Sequence, residues 1–286
     1  KSIMFERFQL NQATGIGLRM LNGSFNRLLQ LEKISLKVPD TGSKIDQSLE
    51  RIKFKRLVSL KIVDLSFERS QITDKGMYFI TQGLKELPNL QSVGLDMWDC
   101  PKLSNLGLHY IWEMMKTLPC LKEISLIFSE CSKMTDAGLD DLNTTLMKYL
   151  VPLENFRLEF HYCDRITDSG ITYLCQFLKR LVGLQSLYVA CGDCDVTDFG
   201  VEKIIDCISN QSDIWEIGLD LRGSKRITDT SLKAIIQYFK AQPSLENIII
   251  GVDSIVKTTE ECEDALYEEL ENLKKQRPYL EFEWLA

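Results

Sequence analysis

Residues 163–189 are CDRITDSGITYLCQFLKRLVGLQSLYV, and the rest of the chain follows their plan. A cysteine comes first, an Ile-Thr-Asp triplet and a helical run follow, and apolar residues spaced as Leu-x-x-Leu-x-x-Leu-x-Val end the unit. The same order returns about every 31 residues along the chain. Self-similarity at a fixed period of this size predicts a solenoid, in which each unit buries its apolar face by stacking on the next.

The repeat is clearest at one apolar position, the last of each strand motif, which we name the register position. It is held by Leu36, Leu65, Leu95, Leu126, Leu158, Val189, Leu219 and Ile250. Five residues after six of them comes a small residue: Ser70, Cys100, Cys131, Cys163, Cys194 and Ser224. A pair of Thr or Ser with Asp or Asn follows: Thr73-Asp74, Ser104-Asn105, Thr135-Asp136, Thr167-Asp168, Thr197-Asp198 and Thr228-Asp229. We expect each pair to supply a side-chain acceptor for the free N–H groups at a helix start.

Apolar residues recur at every second position of each strand motif, as at Val93 and Leu95. The connection to the next strand always passes through a helical run, as in the apolar series that begins at Leu139. Strands joined in this way must run parallel to one another. The pattern therefore predicts an α/β fold built from short parallel strands and helices.

These motifs resemble the leucine-rich repeat superfamily over roughly residues 5–286. The leucine spacing followed by Cys and by Ile-Thr-Asp-x-Gly-Leu is similar to the cysteine-containing class found in F-box leucine-rich-repeat proteins. The longer helical half is closer to the ribonuclease-inhibitor class. The resemblance implies a horseshoe-shaped solenoid of about nine units, with parallel strands on the concave face and helices on the convex face. It also implies non-catalytic protein–protein recognition.

One leucine-rich-repeat domain is expected over residues 1–286, since a solenoid has no internal boundary. We expect degenerate N-terminal repeats over residues 1–56, regular repeats over 57–250, and a C-terminal capping helix and strand over 251–286.

At the amino end, Phe5, Phe8 and Leu10 fit a first strand. At the carboxyl end, a helix is predicted after Thr259, and the segment around residues 282–284 is predicted to form an edge strand.

Composition narrows the classes of partner. The 286 residues carry a net charge of −7, which argues against general nucleic-acid binding and allows a basic partner. We find no apolar run of about 20 residues and no signal peptide, so no membrane partner is expected. No small-molecule substrate is evident, and the expected partner is another protein or peptide.

The nine cysteines are too sparse and too regular for a disulfide scaffold. Cys100, Cys131, Cys163 and Cys194 are expected to stack about 5 Å apart as small, partly buried thiols. Free thiols in an ordered ladder favour a reducing compartment, so we predict a cytoplasmic location and leave the nucleus and the cilium open.

Two alternatives for cysteine chemistry were weighed. Cys191 and Cys194 form a Cys-x-x-Cys pair, but Cys191 follows a strand, whereas a redox motif places its first cysteine at a helix start. Zinc would need further ligands, for which His161 and Cys163 are the near candidates. We therefore predict no metal and no cofactor.

Catalysis has little support in the sequence. The chain has two histidines, His109 and His161, and no nucleophile-elbow, P-loop or dinucleotide-binding motif accompanies them. We predict no catalytic residues and no enzyme activity. An enzyme that used Cys191 and Cys194, the alternative, would show thiol reactivity at neutral pH.

The strand residues that flank the inward apolar positions point away from the helices. The candidate partner-binding residues on this surface are Asp64, Asp96, Trp98, Glu123, Arg157, Glu159, Tyr188, Glu216, Asp220, Arg222 and Asp253. Carboxylates dominate the set, Trp98 and Tyr188 are aromatic anchors of the kind enriched at hot spots, and Arg157 and Arg222 interrupt the acidic field. The surface is predicted to hold a basic segment. An acidic chain also places carboxylates on its strands without any such function.

Two other roles follow from the resemblance. The cysteine-containing repeats imply a substrate receptor of a ubiquitin ligase as one alternative. A structural subunit of a large cytoskeletal or ciliary assembly is the other, and there another chain would cover the last strand. Trp112, Trp215 and Met114-Met115 are expected to serve core or convex-side packing rather than binding.

Overall fold

The computed structural model describes residues 3–4, 30–38, 45–52, 54, 57–85, 87–149 and 151–285. The described strands are β1 Ile3–Met4, β2 Lys33–Lys37, β3 Ile62–Ser66, β4 Ser92–Asp96, β5 Glu123–Ile127, β6 Asn155–Glu159, β7 Ser186–Ala190, β8 Glu216–Asp220, β9 Asn247–Gly251 and β10 Glu281–Trp284. The described helices are α1 Ile45–Leu49, α2 Asp74–Leu84, α3 Asn105–Met115, α4 Asp136–Thr145, α5 Asp168–Leu178, α6 Asp198–Ile208, α7 Asp229–Ala241 and α8 Glu260–Gln276.

The ten described strands form one sheet in chain order, and each pairs in parallel with its sequence neighbours. The register positions lie opposite one another, so that Leu158 pairs with Leu126 on one side and with Val189 on the other. All eight register positions are buried. The predicted solenoid of parallel strands alternating with helices is thereby confirmed.

Alternation along each strand divides the sheet into two faces. In β4, Val93 and Leu95 are buried, whereas the residues between and beside them are half-buried. The buried strand residues pack with buried helix residues in one hydrophobic cluster that runs from Leu31 to Leu280. The helices therefore cover one face of the sheet, and we name the other the open face.

The Thr-Asp pair has two separate roles. Thr167 has an extended backbone and directly precedes α5. Its side chain accepts a hydrogen bond from Ser169 N, which is the predicted cap. Asp168 instead acts on the next repeat: Oδ1 accepts from Thr197 N at 2.8 Å, and Oδ2 accepts from Thr197 Oγ1 at 2.6 Å. The carboxylate thus joins successive helix starts, which the sequence did not predict.

The same two-bond clamp recurs at other described steps of the solenoid. It joins Asp46 to Thr73, Asp74 to Ser104, Asp136 to Thr167, Asp198 to Thr228 and Asp229 to Thr259. At one step an amide replaces the carboxylate, because Asn105 Oδ1 accepts from Thr135 N and Asn105 Nδ2 donates to Thr135 Oγ1. Each clamp adds directional bonds to contacts that are otherwise apolar.

The four cysteines of the ladder are buried, where the sequence predicted partly buried thiols. Each thiol donates to a carbonyl oxygen of the preceding repeat: Cys100 to Phe67, Cys131 to Met97, Cys163 to Phe128 and Cys194 to Phe160. Burial raises the pKa of the Cys163 thiol to about 12. Because the thiolate is the reactive form, this environment keeps the ladder unreactive at neutral pH.

A left-handed turn residue stands four places after each register position from Leu65 to Ile250. These residues are Arg69, Asp99, Glu130, Tyr162, Asp193, Gly223 and Ser254, with φ from 52° to 71°. Five of the seven N–H groups, those of Arg69, Asp99, Glu130, Tyr162 and Gly223, donate to a carbonyl oxygen of the next repeat, as where Glu130 N donates to His161 O at 2.7 Å. Recurrence in seven repeats assigns this backbone conformation to the turn itself rather than to a single active position.

The sequence also made predictions for the two ends of the chain and for two tryptophans. Phe5, Phe8 and Leu10 lie outside the described residues. The predicted C-terminal helix and edge strand are present as α8 and β10. Trp112 is fully buried and donates from Nε1 to Gly138 O at 3.0 Å. The core assignment of Trp215 is wrong, because its side chain is 39% exposed beside the first residue of β8.

Among the described residues, no helix combines the length and the apolar character needed to cross a membrane.

Candidate functional site

The predicted site residues separate into grooves on the open face. Five of them line one groove of about 680 Å³ at the carboxyl ends of the strands: Asp96, Trp98, Glu159, Arg222 and Asp253. We name it the carboxyl-edge groove. Four others line a groove of about 220 Å³ at the amino ends of the strands, together with Trp215: Glu123, Arg157, Tyr188 and Glu216. Asp64 lines a further groove near β2 and β3.

The carboxyl-edge groove is built from repeated positions. Its floor uses the last residues of three strands: Asp96, Ile127 and Glu159. The residues two places further on form the next row: Trp98, Ser129, His161, Arg222 and Asp253. The left-handed turn residues form the outer wall: Glu130, Tyr162, Asp193, Gly223 and Ser254. The repeat therefore sets the backbone position from which each lining side chain extends, whichever residue is there.

Acidic groups dominate this lining. Five carboxylates face the groove, from Asp96, Glu130, Glu159, Asp193 and Asp253. Against them stand one guanidinium, Arg222, and one imidazole, His161. The concave lining and the excess of one sign favour a cationic ligand.

Trp98 is held rigidly at one end of the groove. Its Nε1 donates to Glu130 Oε1 at 3.1 Å, and the guanidinium carbon of Arg69 lies 4.3 Å from the centroid of its ring. Asp96 accepts from Trp98 N at 3.1 Å and from Ser66 Oγ at 2.9 Å. The indole is thus fixed by Glu130 at its Nε1 and by Arg69 over its ring, and Asp96 holds the backbone of the same residue.

Asp220 differs from the sequence expectation of an accessible carboxylate. Its side chain is 1% exposed. Arg222 binds it through Nε at 2.9 Å and Nη2 at 2.8 Å, and His161 Nε2 lies 3.0 Å from Oδ2. Burial opposes ionisation, but the hydrogen bonds and charges of His161 and Arg222 outweigh it and lower the pKa of Asp220 to about 2. Asp220 is therefore an internal anion and is not presented to a partner.

His161 reaches Asp220 across a whole intervening repeat. Ala190 pairs with both Glu159 and Asp220, so β7 lies between the two strands concerned. The path is open because Ala190 is small and Gly192 has no side chain. A Cβ on Gly192 would lie 2.7 Å from His161 Nδ1 and 2.2 Å from Arg222 O.

Tyr188 also differs from expectation, since only 8% of it is exposed and it cannot serve as a protruding anchor. Its ring lies over Gly218, where an added Cβ would be 2.1 Å from Tyr188 Cδ2. The guanidinium of Arg157 covers the ring, with its carbon 3.7 Å from the ring centroid, and its Nη2 pairs with Glu159 Oε1 at 2.6 Å. The Tyr188 ring is therefore a platform that positions Arg157.

Several lining residues were missed by sequence reasoning. Glu130, Tyr162, Asp193 and Ser254 belong to turns, and the candidate set was drawn mainly from strand positions. The signal that could have found them is their constant offset of four residues from the register position. His161 was considered as a metal ligand and for catalysis, but it was not among the predicted partner-binding residues.

The Cys-x-x-Cys pair lies away from solvent. Cys191 and Cys194 are both buried and free. Burial raises the pKa of Cys191 to about 12. Within the part of the chain that the structure describes, no group of three or more His, Cys, Asp or Glu side chains has an arrangement that could hold a metal ion.

Comparison with known proteins gives only weak similarities. No family model and no curated protein matches the chain. One similar solved structure is described as the crystal structure of the Rad7 and Elc1 complex in yeast, at 17% identity and a TM-score of 0.40, covering 92% of this chain and 80% of that chain. Another is actin-binding site 2 of leiomodin-1, at 12% identity and a TM-score of 0.38, covering 83% of this chain and 99% of that chain. At these values we rest the fold on the chain's own strand pairing.

Proposed function

We propose that the chain is a non-catalytic protein-interaction scaffold whose carboxyl-edge groove binds a basic segment of another protein. The observation that carries the proposal is the lining of that groove, in which five carboxylates face one guanidinium and one imidazole beside a fixed indole. Complementary charge steers a basic partner to the groove and disfavours acidic competitors.

Some of the predicted open-face residues are already engaged within the chain. Asp64 pairs with Lys33 at 3.2 Å. Glu216 accepts hydrogen bonds from Ser186 Oγ at 2.6 Å and from Asn247 Nδ2 at 2.7 Å. We therefore place the main contact at the carboxyl-edge groove and give the amino-end groove, with Glu123 and Arg157, a secondary part.

Titration with a fluorescein-labelled nona-arginine peptide, followed by anisotropy at low salt, tests the proposal. We expect Glu130→Lys to weaken binding at least fivefold, because it reverses a charge in the groove. Glu268→Lys on the exposed surface of α8 changes the net charge equally and is the matched control, expected to have less than a twofold effect. Equal effects of the two variants would show attraction to the overall charge and would overturn the proposed site.

The two other roles remain predictions of the sequence resemblance alone. A substrate receptor and a structural subunit would each use a protein-binding surface, so the groove is compatible with both. The cytoplasmic location likewise remains a prediction.

A further inference from the structure

Resting on the proposed function, we propose that the groove recognises two basic side chains on one extended segment, separated by an uncharged spacer of about five residues. One basic side chain binds at the Trp98 end, formed by Asp96, Trp98 and Glu130. The other binds at the Asp253 end, formed by Asp193, Gly223 and Asp253.

The carboxylates of the groove differ in whether a neighbouring cation balances their charge. Glu159 is neutralised by Arg157 at 2.6 Å, and its side chain is only 13% exposed. Among the described residues, neither Asp96, Glu130 nor Asp253 takes part in an ion pair within 4.0 Å. The free negative charge therefore collects at the two ends of the groove.

A second carboxylate, that of Asp193, lies at the Asp253 end of the groove. It occupies the space beside Gly223, because a Cβ on that glycine would lie 2.1 Å from Asp193 Oδ2. Its ion pair with Lys225 is long, at 3.7 Å, and the lysine side chain is 74% exposed. Such a contact compensates little of the charge. Asp193 and Asp253 thus both line this end of the groove.

The middle of the groove favours an uncharged spacer. His161 and Arg222 bind Asp220 there, and Arg222 remains 36% exposed on its side chain. Asp220 and Glu159, the carboxylates of this middle part, are already paired with Arg222 and Arg157, so a lysine or arginine side chain there would find no unbalanced negative charge. A basic residue at the centre of the segment is therefore disfavoured.

The dimensions favour an extended segment over a helix. Five strand spacings from β4 to β9 give the groove a length of about 24 Å. The two ends lie about 19 Å apart, from the turn after β5 to the turn after β9, and about six residues of an extended chain span that distance. A helix would need about 13 residues for the same span, so an extended segment joins the two ends with the fewest ordered residues.

Fluorescence anisotropy at low salt tests the inference with three decapeptides. Each is built from Gly, Ser and Ala and has blocked, uncharged termini. One carries two arginines six positions apart, one carries them two positions apart, and one carries none. We expect the widely spaced peptide to bind at least fivefold more tightly than the closely spaced one. Glu130→Gln, whose amide oxygen can still accept from Trp98 Nε1, and Asp253→Asn are each expected to reduce this ratio to about one.

The outcomes separate the two proposals. Equal binding of both arginine peptides, with an unchanged ratio in Glu130→Gln, would overturn the two-site inference and leave the basic-segment proposal intact. Equal binding of the peptide without arginine would overturn both. Replacing the central spacer residue of the widely spaced peptide by arginine is expected to give no gain in affinity, and a gain would also count against the uncharged middle.

Discussion

His161 and Asp220 belong to repeats that do not pair with each other, yet His161 Nε2 lies 3.0 Å from Asp220 Oδ2. The contact links β6 to β8 over the small residues of β7 and its turn. It cross-links two repeats that are not neighbours, which nearest-neighbour stacking in a solenoid does not do.

The Asp220 anion is expected to make stability depend on pH in the acid range. Its pKa is lowered to about 2 in the folded chain from 3.8, so the stabilisation is present above pH about 4 and is lost as the pH falls through about 2. The contribution is on the order of 2 kcal/mol. Urea unfolding should show Asp220→Asn less stable at pH 6, with the difference from the parent narrowing toward pH 2. A difference that stays constant with pH would contradict this assignment.

Gly192 is expected to tolerate no side chain. Gly192→Ala forces a Cβ against His161 and against the backbone oxygen of Arg222, so we expect a loss of about 1–3 kcal/mol in the free energy of unfolding. Gly183→Ala measures the cost of backbone strain alone, because Gly183 has φ of 83° but no atom within 4 Å of the added Cβ, and about 1 kcal/mol is expected there. A loss at Gly192 no larger than the loss at Gly183 would contradict the steric clash.

The carboxylate clamp between repeats predicts an unequal response to two substitutions. Asp168→Ala removes both hydrogen bonds to Thr197 and should cost about 1–3 kcal/mol. Asp168→Asn should cost less than half as much, since Asn105 makes the same pair of bonds to Thr135. Chemical denaturation measures both, and Asp164→Ala on the exposed turn is the control. Similar losses for Ala and Asn would show that geometry alone does not maintain the clamp.

Ser224 occupies a cysteine position of the ladder and is buried with no hydrogen-bond partner for its hydroxyl among the described residues. A thiol is less costly to desolvate than a hydroxyl, so Ser224→Cys is expected to stabilise the chain by about 1 kcal/mol. Thermal unfolding under reducing conditions measures the change. Cys163→Ser, the reverse exchange in a repeat where the thiol has a partner, should be destabilising.

The fold could be predicted because it depends on patterns within single repeats. Leu158 and Val189 are buried at the predicted register, and Thr167 caps its helix as expected. Both properties are local, since apolar spacing and a capping hydroxyl act within one strand or one helix start. The clamp by Asp168 was not predicted, because its acceptor role depends on a residue of the next repeat.

The site was predicted less completely because accessibility on the open face depends on the neighbouring strand. Tyr188 and Asp220 are at outward positions, but each side chain packs against a glycine of the next strand. Tyr188 packs against Gly218, and Asp220 packs against Gly251. At these two positions the glycine next in register leaves the room in which the side chain is covered, whereas Asp64, which faces Gly94, keeps 41% of its side chain exposed. The turn residues that line the outer wall were outside the strand pattern altogether.

The left-handed turns described above separate shape from specificity. Arg, Asp, Glu, Tyr, Gly and Ser all occupy this position with nearly the same φ, and five of the seven N–H groups are bonded to the next repeat. A substitution there is expected to change one side chain of the proposed groove while leaving the stack intact. The proposed partner preference could therefore evolve or be engineered one turn at a time.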